Sequence, residues 1–140
     1  MSKVAVVYWS GTGNTEMMAQ KVAEGAKEAG AEVSVLTCAD FSADDVDAYD
    51  AIAFGCPAMG DEVLEDTEFE PMFDGCKDAL KGKNIALFGS YGWGDGEWMR
   101  NWEESCKEAS ANLVCDSVIC QEEPDDEATD ACKALGAALV

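Results

Sequence analysis

The 140 residues carry 29 acidic against 9 basic side chains, a net charge of −20, with no histidine and 48% hydrophobic residues. Such a field repels nucleic acid and anionic lipid and steers toward basic protein surfaces. The length and apolar fraction fit one domain over residues 1–140 with one core, not a disordered chain. The seven cysteines, at 38, 56, 76, 106, 115, 120 and 132, contain no Cys-x-x-Cys pair, which speaks against a zinc or iron–sulfur site and a disulfide framework. They are expected as reduced thiols, several of them on apolar faces as small hydrophobes. No apolar run has the length of a secretory signal or a membrane-spanning helix, so a cytoplasmic protein is expected.

In chain order, Val4–Trp9 reads as a buried strand. From Asn14 to Ala29, Met18, Val22 and several alanines recur at helical spacing, and Gly30 is placed to end the helix. Glu32–Thr37 alternates, with Val33, Val35 and Thr37 on one face, as a half-covered edge strand does. Asp40–Asp50 is acidic and irregular, with room for one short helix. Ala51–Gly55 is a second buried strand. Phe69, Phe73, Cys76 and Leu80 define a helix, and Pro71 is tolerated near its start. Ile85–Gly89 is a third buried strand, and Trp98, Trp102, Cys106 and Ala109 mark the next helix. Leu113–Cys120 supplies the last strand, with a break expected at Asp116-Ser117. Ala128, Cys132, Leu135 and Leu139 form a final helical stripe opened by Pro124-Asp125-Asp126. Alternating strands and helices predict a doubly wound α/β fold. Its five-stranded parallel sheet has the order 2-1-3-4-5 with helices on both faces. Ligands of such sheets sit outside the carboxyl ends of the strands, at the switch point beside the first strand.

Three loops fall at those carboxyl ends. The first is Ser10-Gly11-Thr12-Gly13-Asn14-Thr15, between the first strand and first helix, where backbone N–H groups and the helix dipole favour an anion. No lysine follows the glycines, which excludes the nucleotide-hydrolysing P-loop. Glu16 stands where the dinucleotide fingerprint needs its third glycine. The hydroxyls of Ser10, Thr12 and Thr15 and the Asn14 amide suit a terminal phosphate monoester held by neutral hydrogen bonds. The second loop, Gly55–Glu62, contains Pro57, Ala58, Met59, Gly60, Asp61 and Glu62. The third, Gly89–Gly96, contains Ser90, Tyr91, Gly92, Trp93, Gly94, Asp95 and Gly96. A thioether at Met59 and an indole at Trp93 are groups that grip a flat aromatic ligand.

On Tyr8–Thr15, Ala58–Glu62 and Gly89–Gly96, essentially the whole chain resembles the flavodoxins, specifically the short-chain group from anaerobic bacteria. The resemblance implies non-covalent FMN and a low-potential one-electron carrier, not an enzyme, working between semiquinone and hydroquinone states. Ser10, Thr12, Asn14 and Thr15 would then hold the phosphate, together with the loop glycines Gly11 and Gly13. Met59 and Trp93 would flank the isoalloxazine ring. Gly60 would turn its carbonyl toward the reduced N5–H, and Glu62 would accept from N3–H. Pro57 departs from relatives with serine there, which removes one phosphate contact because proline has no donor.

A net hydrogen bond of about 0.5–1.5 kcal/mol at Gly60 corresponds to roughly 20–65 mV in a one-electron couple. Asp61, Glu62, Glu65, Asp66, Glu68, Asp95 and Glu97 are expected in or near the ligand loops. There they would oppose a reduced, anionic ring and offer a docking rim to redox proteins with basic patches. The expected state is a monomer, with neither nucleic acid nor membrane as partner. A flavin reductase stands as the rival enzyme reading, although no second nucleotide fingerprint is present. A non-redox FMN-binding module is the rival outside electron transfer. A receiver domain fails because Trp9-Ser10 and Gly55-Cys56 occupy its acidic positions. A low-molecular-weight phosphatase fails because Glu62 stands where its arginine belongs.

Overall fold

The computed structural model describes residues 2–11, 13–60 and 63–140. In chain order the elements are β1 (Lys3–Tyr8), α1 (Asn14–Glu28), β2 (Glu32–Thr37), β3 (Ala51–Gly55), α2 (Phe69–Cys76), β4 (Asn84–Tyr91), α3 (Glu97–Glu108), β5 (Asn112–Leu113), β6 (Val118–Gln121) and α4 (Asp126–Ala138). All pairings between these strands are parallel, in the order β2-β1-β3-β4, with β5 and β6 both beside β4. β5 pairs with Asn84 and Ile85 at the start of β4, and β6 pairs with Phe88–Tyr91 at its end. The fifth position of the sheet is thus occupied by two short strands separated at residues 114–117, and the expected order 2-1-3-4-5 holds.

Strand alternation sorts the core into two layers. Ala5, Val7, Ile52, Phe54, Ile85 and Leu87 face α2 and α3, whose buried residues include Phe69, Phe73, Trp98, Trp102 and Cys106. Val4, Val6, Ala51, Ala53, Ala86 and Phe88 face α1 and α4, which bury Met18, Val22, Cys132 and Leu135. On that second face a Cβ at Gly25 would lie 2.1 Å from the Lys133 carbonyl oxygen, and one at Gly136 would lie 2.0 Å from that of Val22. The missing side chains are what allow the two helices to touch. α4 opens as its sequence requires, with the Asp125 carboxylate accepting from Ala128 N–H at 2.8 Å.

Three local expectations are corrected. The Phe69–Leu80 stripe is an α-helix only to Cys76 and tightens into a 3-10 turn over Lys77–Leu80, a common way for a last turn to end. β4 extends beyond Gly89 through Ser90 and Tyr91 because β6 supplies ladder partners at Cys120 and Gln121. β2 does not cover one face cleanly: Val33 and Leu36 pack into opposite layers, and Val35 is 42% exposed. The cause on Leu36's side is the segment after β2. It contains two short 3-10 turns, Cys38–Asp40 and Ala43–Ala48, and buries Cys38, Phe41 and Val46 in Leu36's layer.

All seven cysteines are free thiols, six of them buried and Cys115 half-buried. Burial pushes Cys38, Cys76 and Cys120 up to about 11 and Cys106 and Cys132 up to about 12, as expected of packing groups rather than nucleophiles. Among the described residues no helix is long and apolar enough to cross a membrane.

Candidate functional site

A cleft of about 530 Å³ opens at the carboxyl ends of the strands, lined by Trp9, Gly11, Asn14, Pro57, Ala58, Met59, Ser90, Tyr91, Gly92, Glu122 and Glu123. Residues from all three expected loops meet there, joined by a fourth segment after β6. Ser10, Gly13, Thr15, Gly60, Trp93, Gly94, Asp95 and Gly96 are not part of this lining. Thr12, Asp61 and Glu62 lie outside the described residues.

The first loop is built around the Ser10 hydroxyl, which accepts from the N–H of Gly13 at 3.1 Å and of Glu16 at 3.3 Å. Gly13 takes φ +96°, a left-handed conformation that glycine reaches without steric penalty, and starts α1. The leading amides of α1 have no intrahelical acceptor and, with the helix dipole, face the loop. Gly11 leaves room for Trp9, since a Cβ there would stand 3.0 Å from the indole ring. Thr15 is buried, and its hydroxyl lies 2.9 Å from that of Ser90.

The end of β4 ties the loops together. Ser90 carbonyl accepts from Ala58 N–H at 3.0 Å, Tyr91 carbonyl from Glu122 N–H at 2.7 Å, and Gly92 carbonyl from the Gln121 side-chain amide at 3.2 Å. In the second loop Met59 and Val63 exchange backbone hydrogen bonds of 2.8 and 3.0 Å, and Gly60 sits between them at φ +49°. Met59 is 36% and Trp93 61% exposed. Trp9 and Tyr91 contribute the aromatic walls of the cleft.

The expected acids separate into different roles. Asp95 is paired with Arg100 at 2.9 Å on the surface. Glu68 accepts from the Trp9 indole N–H at 3.4 Å. Glu65 is only 7% exposed, and its carboxylate accepts from the N–H groups of Thr67, Glu68 and Phe69 at 3.0, 2.7 and 2.8 Å. Burial pushes this carboxyl upward, but the three amide bonds outweigh it and hold Glu65 below its ordinary value of 4.5. A depressed folded value means that its contribution to the start of α2 is complete above about pH 4.5 and is lost as pH falls through the folded value. Tyr8 is shifted the other way, its phenol pushed up by burial and by the neighbouring Glu16 carboxylate, to which it donates at 3.3 Å.

Sequence reasoning missed Trp9, Glu122 and Glu123 as lining residues. Each follows the carboxyl end of a strand, the position that marks a ligand site in such sheets, and Glu122 has φ +59°, rare for a side chain of its size.

The cleft brings neutral hydrogen-bonding groups at Gly11, Asn14 and Ser90 together with the aromatic and thioether side chains of Trp9, Tyr91 and Met59 and the carboxylates of Glu122 and Glu123. Among the described residues no lysine or arginine lines it. This donor set fits a molecule that carries both a phosphate and a flat, largely apolar ring. Fold and site together define a doubly wound domain that carries a phosphorylated aromatic cofactor. The flavodoxin family model matches residues 6–136. The flavodoxin of Clostridium beijerinckii is 47% identical over 125 residues, covering 89% of this chain and 91% of the relative. That of Megasphaera elsdenii is 47% identical over 135 residues, covering 96% of each. The solution structure of the two-electron reduced Megasphaera elsdenii flavodoxin superposes with a TM-score of 0.90, covering 97% of each chain. The chain belongs to the flavodoxin family. It is an FMN-binding electron carrier that works with redox partner proteins, not an enzyme.

Proposed function

We propose that FMN occupies this cleft with its phosphate at the N-terminus of α1 and its ring against the second and third loops. The observation that carries this reading is a single cleft at the carboxyl ends of the strands whose lining combines Gly11, Asn14 and Ser90 with Trp9, Met59 and Tyr91. Bound FMN supplies two separable one-electron steps on one ring. Ser10 and Gly13 shape the phosphate loop, Asn14 and Thr15 complete it, and the Thr15–Ser90 hydroxyl pair couples that loop to the end of β4. Met59 and Trp93 flank the ring, and Gly60 presents its carbonyl to it. Pro57, Ala58, Tyr91 and Gly92 exclude water from the inner side, while Gly94, Asp95 and Gly96 set the outer loop. Thr12, Asp61 and Glu62 belong to the same assignment by their positions in the sequence. Glu122 and Glu123 add negative charge at the cleft and disfavour the second electron. One such carboxylate at about 10 Å and an effective dielectric near 20 contributes ~1.7 kcal/mol, or about 70 mV.

The chain works as one domain, a cytoplasmic monomer whose acidic surface around the exposed Trp93 docks on basic patches of its partners. A dithionite titration of the anaerobic FMN-loaded protein, followed by visible absorption, tests the reading. Two resolved one-electron steps are expected, the second at low potential. Bleaching in one two-electron step, or no uptake of FMN, would overturn it. Electron transfer to a basic partner is expected to slow as ionic strength rises; a rate insensitive to salt would remove the docking assignment.

A further inference from the structure

We propose that Cys56 and Glu65 are positioning residues that clamp the base of segment 57–64 and thereby fix the turn carrying Met59 and Gly60. The proposal rests on the FMN reading above for its consequence, but the clamp itself is geometry within the chain. Cys56 is completely buried at the end of β3 and is held on three sides. Its N–H donates to the Phe88 carbonyl at 3.1 Å, its carbonyl accepts from the Trp98 indole N–H at 3.1 Å, and its Sγ accepts from the Glu65 N–H at 3.4 Å. Gly89 makes this possible, because a Cβ there would stand 2.2 Å from the Cys56 carbonyl oxygen.

Glu65 is the other jaw. Its carboxylate takes the three N–H bonds at the start of α2, and its own carbonyl accepts from Glu70 N–H at 2.9 Å. A buried carboxylate is tolerated where amides and the positive end of a helix dipole satisfy it. Cys56 is thus anchored to the sheet and Glu65 to the helix. The Glu65 N–H···Sγ bond joins them across the neck of the loop. Beyond the neck the Met59–Val63 pair closes the tip, so any drift at the neck is transmitted to Met59, which lines the cleft. A loop already closed at its base loses less freedom when it orders around a ligand.

Cys56→Ala removes the sulfur acceptor and leaves the Glu65 cap on α2 intact, so it separates the clamp from helix stability. The first readout is amide hydrogen exchange of the cofactor-free protein, in which Met59 and Val63 report the turn. Exchange at those two amides is expected to accelerate about tenfold, with protection in β3 and β4 retained. In the same variant the dissociation constant for FMN is expected to rise about five- to tenfold, the scale of one lost buried hydrogen bond. Glu65→Gln, which keeps one acceptor oxygen, serves as the second variant and should move both readouts in the same direction. Exchange at Met59 and Val63 within twofold of the parent protein would overturn the clamp. So would acceleration spread equally over β3 and β4, because that is loss of global stability. A parent chain that takes up no FMN would sink the cofactor reading and leave the exchange data to decide the clamp.

Discussion

The two faces of the sheet are packed by opposite means. Toward α1 and α4 the central strands offer mostly small residues, and Gly25 and Gly136 let helix backbones touch. Toward α2 and α3 the core is a cluster of rings: Phe54 meets Phe73 at 5.1 Å, and Trp102 meets Phe69 at 5.4 Å and Phe73 at 5.6 Å, each edge to face. The division follows function. The small-residue face holds α1, whose N-terminal Asn14 lines the cleft, where position is set by backbone. The aromatic face supports the second loop through side chains, with Trp98 bonded to the Cys56 carbonyl. One face is rigid by proximity, the other by volume and selected hydrogen bonds.

The largest expected break is on the ring side. Phe73→Ala should destabilise the fold by about 3–5 kcal/mol in urea titrations, the usual range for emptying a buried phenylalanine site. A loss under about 1 kcal/mol would mean that the aromatic layer closes over the gap and does not hold by volume. On the other face, Gly136→Ala adds a single methyl against the Val22 carbonyl. About 2 kcal/mol of net loss is expected, overpacking of about 1–3 kcal/mol outweighing the higher helix propensity of alanine. A stabilised Gly136→Ala protein would show that the helices separate freely.

Two tryptophans sharpen the comparison within the aromatic face. Trp98 donates to Cys56, whereas the buried Trp102 Nε1 has no hydrogen-bond partner among the described residues and its ring lies edge to face with Phe69 and Phe73. Both Trp→Phe changes remove similar volume, but only Trp98→Phe strands a buried carbonyl. Trp98→Phe should therefore cost about 1–2 kcal/mol more than Trp102→Phe; equal losses in thermal or urea unfolding would contradict a role for that bond. The smallest effect is expected at the loop tip. Gly60 has φ +49° with open space where a Cβ would go, so Gly60→Ala fits sterically but resists that backbone. The separation of the two one-electron potentials should change by roughly 20–65 mV, the electrochemical equivalent of one modest hydrogen bond. Potentials identical to the parent protein would mean that Gly60's freedom plays no part.

Legibility from sequence was uneven for physical reasons. Ala51–Gly55 is apolar throughout and buried on both faces, so its bounds were readable to the residue. β2 lies at the edge of the sheet, where burial comes from whatever chain folds over it, and the alternation of Val33 and Val35 misled. In the site, the small-residue loop before α1 and the glycine-punctuated loops with Met59 and Trp93 stood out, since chain conformation and side-chain type are local properties. Glu65 did not stand out, because four of the seven residues from Glu62 to Glu68 are acidic and only the return of α2 onto it distinguishes a buried cap from a solvated charge.

Strand and helix alternation, the anion-type loop, the absence of lysine from it and the excess of acid were determined by sequence alone, because each follows from local periodicity, backbone freedom or charge. Tertiary structure alone decided that β6 carries β4 on through Ser90 and Tyr91, that the Glu122–Glu123 segment joins the cleft, and that Cys56 and Glu65 meet across a loop neck. Those outcomes depend on which distant segments the assembled sheet brings within hydrogen-bonding distance, and no local pattern encodes that.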